Sequence, residues 1–200
     1  MTDTVALDVL FKGKRNYITG ADIANSMLNI SGTCSRLRIE FHHMADCALA
    51  MRELTSPELP AVKHRDDVHA LMSCTDAGGM QRYWIAQSDL QAPRPLRVDY
   101  DESVYTRRAL IQGAVIKSDA ESLQANPLDA LVALNKHLLN HCVEVHPWIF
   151  VRLDLLQWPF DSSHVELKFA GNAAHGIHRS TILSDGIPSG FIYFARRSAP

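Results

Sequence analysis

Asp22, Asn25, Ser26 and Asn29 stand three and four positions apart in the stretch "ADIANSMLN", the spacing that puts side chains on one face of a helix. A carboxylate so placed could act as a general base or orient a water, and amides one turn away could shape a polar pocket around it. Asn16 and Tyr17, in the approach "KGKRNYITG", would add to its wall. Plainer readings of the same residues stay open. An acid in a first helical turn favours the helix dipole, and Tyr17 and Asn25 suit an ordinary amphipathic surface.

The other reactive residue types lead elsewhere. His137 and His141 lie four apart with His146 just beyond, a spacing that can hold a transition metal. There is no H-E-x-x-H, and Glu144 falls on another face, so an exposed helix side is expected and no metal. His42 and His43, successive in a strand, point to opposite faces. His42 shares its face with Arg38 and Glu40, a set that reads as a cross-strand charge network. No serine stands in a G-x-S-x-G elbow. Cys34, Cys47, Cys74 and Cys142 form no C-x-x-C pair, and buried free thiols are expected. "DAGGMQ" is explained by a hairpin turn, so neither a phosphate loop nor a cofactor is expected.

These candidates need elements to position them. "TVALDVLFK" (4–12) reads as a strand, and the helix that follows has Thr19 as its N-cap and Gly32 as its stop. "CSRLRIEFHH" alternates, with Leu37, Ile39 and Phe41 on one side; "CALAMREL", "DVHALMSCTD" and "MQRYWIAQ" give three more strands, the first two separated by the loop "TSPELPAVKHRD". The same order then recurs. "VYTRRALIQG" reads as a strand, and "NPLDALVALNKHLLNHCVEV" as a helix with Asn126 as N-cap and Pro127 in its first turn. In "WIFVRLDLLQW" Ile149, Val151, Leu153 and Leu155 share one side, and "HVELKF", "HRSTILSD" and "GFIYFARR" complete the set.

The recurrence has residue detail. "HALMSCTDAGGMQRYWIAQS" from His69 is matched by "HRSTILSDGIPSGFIYFARRS" from His178; 178 − 69 and 185 − 76 both give 109, so His69/His178 and Asp76/Asp185 need no gap. Asp22 answers to Asp129 near each helix start, and Arg38-Ile39-Glu40 to Arg152-Leu153-Asp154. We read a tandem duplication: 1–90 as the first half, 91–102 as a connector with two prolines, and 103–200 as the second half.

Composition bounds the function. The 200 residues are 46% hydrophobic and 21% charged, with 20 basic against 22 acidic side chains and a formal net charge of −2, the make-up of a globular chain. No row of cations could neutralise a run of phosphates, so nucleic acid is not an expected partner. No apolar run reaches membrane-spanning length, and the N-terminus lacks a secretory pattern. A cytoplasmic protein is expected.

A strand, a central helix and an antiparallel run of strands resemble the hot-dog fold, in which a curved sheet wraps one long helix, and two such units in tandem resemble a double hot-dog. The likeness rests on topology, on the repeat and on "RNYITGADIANSML" at the start of the first helix. The fold class is α+β. A rival duplicated fold, two ferredoxin-like units, would need two helices per half.

The resemblance implies an enzyme acting on acyl thioesters of coenzyme A or acyl carrier protein, as a thioesterase or a 3-hydroxyacyl dehydratase, with its sites between the halves. It implies backbone N–H groups at a helix N-terminus that polarise the thioester carbonyl, and a nearby acid or base. Only the first helix carries enough polar residues, so Asp22 is the expected catalytic residue and Asn16, Tyr17 and Asn25 the expected substrate-binding ones. The spaced Asp and His of the hydratase branch are not matched, since Met27 stands where the His would be. The alternative is a non-catalytic double hot-dog that binds an acyl chain, a carrier protein or another subunit. Association into a homo-oligomer through the aromatic strands "YWI" and "FIYF" is a further expectation.

Overall fold

The structure, a computed structural model, describes residues 4–55, 59–62, 65–118, 126–159, 164–174 and 176–197. Parts of the expected 55–66 loop and Ser198, the last residue of the second repeat copy, lie outside these. The chain divides into two compact units, Met1–Tyr100 and Asp101–Pro200. Each is α+β with an antiparallel sheet.

The first unit holds β1 (Thr4–Ala6), β2 (Phe11–Lys12), α1 (Gly20–Ser31), β3 (Arg36–Phe41), β4 (Leu49–Leu54), a one-turn α2 (Leu59–Val62), β5 (Val68–Thr75), β6 (Gln81–Ser88) and β7 (Arg97–Val98). Its main sheet runs β1-β4-β6-β5-β3, and β2 and β7 pair in parallel as a separate ribbon. The strand expected over 4–12 is therefore broken. Leu7 N–H still donates to Leu49 O, but the next donor, Asp8 N–H, turns to the Ser26 hydroxyl of α1 at 2.9 Å, and Phe11 N–H goes to Leu96 O. A helix side chain thus captures the backbone and ends the ladder.

α1 forms where its caps place it. Thr19 is the N-cap, and Gly32, at φ +79, ends the helix with its N–H on Leu28 O, a left-handed position that a glycine takes at no steric cost. Ala21, Ile23, Ala24, Met27 and Leu28 are buried. β5 is buried at five successive positions, Val68 to Met72, because its sheet has apolar cover on both faces: Leu54, Val62, Val68, Leu71 and Ile85 form a second small core with Tyr83 against it.

Two cysteines correct the expectation of free thiols. Cys34 and Cys74, 40 residues apart, form a disulfide with a Cα–Cα distance of 5.6 Å, whereas Cys47 and Cys142 are free. The bridge follows from register: Leu37 pairs with Cys74 and Arg36 with Thr75, and Ser35 N–H donates to Thr75 O, which brings Cys34, two residues before β3, alongside the end of β5. Sequence spacing carries no trace of that pairing.

The second unit holds a 3₁₀ turn (Glu102–Tyr105), β8 (Leu110–Gln112), β9 (Val115–Lys117), α3 (Pro127–Cys142), β10 (Trp148–Leu155), β11 (Val165–Ala174), β12 (Ile177–Ser184) and β13 (Ile187–Arg196). The order is β10-β13-β12-β11-β9-β8. The strand expected from Val104 gives way to the 3₁₀ turn, because the Asp101 carboxylate accepts from Ser103 N–H at 2.9 Å and offers the backbone a local alternative to a ladder. α3 begins at its expected cap, with the Asn126 side chain accepting from Asp129 N–H, and buries Leu128, Leu131, Leu134, Leu138 and Leu139.

In β10 the buried set is Trp148, Phe150, Leu153 and Leu155, not a single alternating series. A bulge between Phe150 and Arg152 shifts the phase by one residue. The aromatic strands expected as exposed edges are internal, β6 between β4 and β5 and β13 between β12 and β10; Trp84, Ile85, Ile192 and Phe194 are buried. No helix among the described residues is long and apolar enough to cross a membrane.

Candidate functional site

The N-terminus of α1 carries the residues singled out in the sequence. Thr19 Oγ1 accepts from Asp22 N–H at 3.3 Å and donates to Asp22 Oδ2 at 2.8 Å. The other carboxylate oxygen, Oδ1, meets Lys12 Nζ at 2.6 Å, with side-chain exposures of 9% for Lys12 and 12% for Asp22. Asp22 is thus held on both oxygens, by a hydroxyl of its own helix cap and by an ammonium from β2. A carboxylate in this setting is oriented and charge-balanced.

The companions of Asp22 are separated. Asn25 is half-buried one turn on, Ser26 is buried and spent on Asp8 N–H, and Asn29 is exposed. Asn16 is exposed and Tyr17 half-buried in the turn before the cap. What the fold brings to Asp22 is instead Lys12, beside a group of further cations around Tyr100 and the turn before the cap. Lys12 Nζ lies 4.8 Å, and Arg15 Cζ 5.3 Å, from the centre of the Tyr100 ring. Arg97 donates through Nη1 to Gly13 O and Arg15 O, both at 2.6 Å, which ties β7 to the turn leading into α1. The sequence hint was the pair of basic segments "KGKR" and "RPLR", separated by some 80 positions and joined only by the β2–β7 pairing.

In the second unit the matching helix start differs. Asp129 is buried at 3% exposure, and Asn135, further along α3, is completely buried with both amide atoms lacking a hydrogen-bond partner among the described residues. The repeat histidines are interior in both units: His69 is 6% and His178 5% exposed. His69 Nε2 pairs with Ser88 Oγ at 2.8 Å, whereas His178 is held edge-on by Trp148 with centroids 4.9 Å apart. Burial pushes both imidazoles below their ordinary pKa; Arg196 adds to the effect at His178. His137 and His141 are exposed, and no group of three or more potential metal ligands occurs among the described residues. Arg38 and Glu40 come within 4.0 Å of each other.

No protein-family model and no curated protein sequence matches the chain. Among solved structures it is similar to dehydratase domains and thioesterases. The dehydratase domain of PpsC from Mycobacterium tuberculosis, in complex with C12:1-CoA, is 11% identical, with a TM-score of 0.47 over 98% of this chain and 93% of that one. A bifunctional dehydratase-cyclase domain of ambruticin biosynthesis is 13% identical, with a TM-score of 0.48 over 99% and 90%. An acyl-ACP thioesterase from Bacteroides thetaiotaomicron is 11% identical, with a TM-score of 0.43 over 98% and 97%.

Proposed function

We propose that the protein handles acyl thioesters, of coenzyme A or of acyl carrier protein, as a tandem pair of hot-dog-like units, with its polar site at the start of α1. The observation that carries this reading is that both units set one N-capped helix before four long antiparallel strands. Support for the duplication comes from the equal offset of the histidine and aspartate pairs and from helix caps that each accept from the N–H of an aspartate three residues on.

In the catalytic form of the proposal, a thioesterase or 3-hydroxyacyl dehydratase, Asp22 orients a water or takes a proton. Asn16, Tyr17 and Asn25 then contact the substrate, and backbone N–H groups of the first turn of α1 polarise the carbonyl. One such donor is worth roughly 100- to 1000-fold in rate. The engagement of both Asp22 oxygens favours the second form, a non-catalytic protein that binds an acyl chain, an acyl carrier protein or another subunit. Cytoplasmic residence and self-association belong to the same proposal.

Release of free thiol from a panel of acyl-coenzyme A thioesters, compared between the native protein and Asp22→Asn, separates the forms. Turnover that falls at least tenfold in the variant supports a catalytic Asp22. Equal turnover removes Asp22 from the chemistry, and acyl-chain binding without turnover supports the binding form. Neither turnover nor binding across the panel ends the proposal.

A further inference from the structure

The most unusual charge arrangement outside the Asp22–Lys12 pair is on the β2–β7 ribbon. Arg94 and Arg97 place their guanidinium carbons 5.2 and 5.5 Å from the centre of one ring, Phe11. The two carbons can therefore be no farther apart than the sum of those distances. Both side chains belong to exposed residues, as does Lys14 in the following turn. Neither arginine meets a carboxylate within ion-pair distance among the described residues, and the nearest acid in sequence, Asp99, is exposed and forms no ion pair there. The one carboxylate tied into the ribbon, Asp22, is taken by Lys12.

We propose that this ribbon binds a ligand carrying two adjacent phosphates. Like charges gathered around one ring repel, and the cation–π contacts that hold them do not neutralise them. An anion does. The arginines are also preorganised. Arg97 is fixed by two main-chain carbonyls, which use two of the five N–H donors of a guanidinium and leave three in a planar fork suited to phosphate oxygens. Arg94 stands between Pro93 and Pro95, which restrict the backbone on either side of it.

Two guanidinium groups over one ring suit a compact dianion and are too few for a nucleic-acid track. The inference does not need an acyl group and stands whether or not the thioester reading does.

Calorimetric titration of the full chain with inorganic pyrophosphate at low ionic strength tests it. Saturable binding is expected, weakened roughly tenfold or more in Arg94→Gln, less in Arg94→Lys, and unchanged in Arg36→Gln, a control at an exposed arginine of β3. Among the described residues Arg94 makes no hydrogen bond to the fold, so its variant should melt with the native protein; Arg97→Gln, which loses two backbone anchors, should bind weakly and melt lower. ADP and coenzyme A in further titrations distinguish a free diphosphate from a nucleotide-borne one. Absence of saturable pyrophosphate binding overturns the proposal, as does a Kd unmoved by Arg94→Gln, an equal loss in Arg36→Gln, or orthophosphate binding as tightly as pyrophosphate.

Discussion

In the first unit β5 lies between β3 and β6, and β6 reaches β4; in the second β12 lies between β11 and β13, and it is β13 that reaches β10. The third and fourth strands after the helix have exchanged places between units whose element order is otherwise shared. The turns joining them differ too. Asp76 organises a longer loop, accepting from Gly78 and Met80 N–H, with Gly79 at φ +81. Asp185 and Gly186, at φ +50 and +78, make the two-residue turn with both central residues left-handed. A matched sequence pattern thus specifies a hairpin, but the sheet edge that the hairpin joins is decided elsewhere.

The interiors differ accordingly. The first unit uses a disulfide and a second small apolar core. In the second, the half-buried Arg152 chelates Asp154 and lies 4.8 Å over the Tyr193 ring, while Arg179 lies 5.0 Å over Phe191. Arg152, Tyr193 and Arg179 stand in one cross-strand row. Burial, with Asp154 beside it, pushes the Tyr193 phenol above its ordinary pKa.

Several changes would break or sharpen this contrast. Removing the disulfide with Cys34→Ser and Cys74→Ser together should cost about 4 kcal/mol on loop-closure grounds, since it closes 40 residues. Hydrogen exchange should rise first in peptides of the first unit, and alkylation of the native protein should reach at most the two free thiols. Uniform loss of protection would show that the bridge does not single out that unit. In the second unit Gly190→Ala should cost about 3 kcal/mol, because its Cβ would stand 2.2 Å from Asp154 O. An unchanged melting temperature would mean that β10 and β13 part easily at this point.

Acid gives a third effect. His69 and His178 are buried with depressed pKa values, so the unfolded chain takes up protons first, below about 6.5. Stability is complete above that pH and is lost as pH falls toward the folded-state values, by at most about 1.4 kcal/mol per pH unit for each histidine. Denaturant titrations between pH 7 and 5 should show the slope, and His178→Phe should flatten it. The Asp67 carboxylate, held low by Arg65, loses its contribution only below about pH 4 and leaves that window clear. The smallest effect is at the caps. Thr19→Ala and Asn126→Ala should each cost about 1 kcal/mol, and Thr19→Ala more of the two, since Thr19 also bonds to the Asp22 carboxylate; equal losses would make that second bond worthless.

Much of this was readable before any coordinates. Thr19, Gly32 and Asn126 end or begin helices through bonds within a few residues of themselves, and Leu37 and Ile39 face inward because a strand alternates. Val151 misled because a bulge is a property of two strands and not of one. Asp22, Asn25 and Ser26 do share a helix, but their surroundings come from β2 and the preceding turn, so a helical wheel could not reveal that Lys12 occupies the carboxylate or that Asp8 claims the serine.

The amino-acid sequence by itself determined the caps, the two long helices and the four long strands after each, which depend on contacts a few residues apart, and it displayed the recurrence of His and Asp. Only the tertiary structure decided that Cys34 meets Cys74, that Arg94 and Arg97 converge on Phe11, and that the closing strands enter the two sheets in opposite orders. Those pairings join residues tens of positions apart, and their free energy comes from register and burial in the folded chain, which local pattern does not encode.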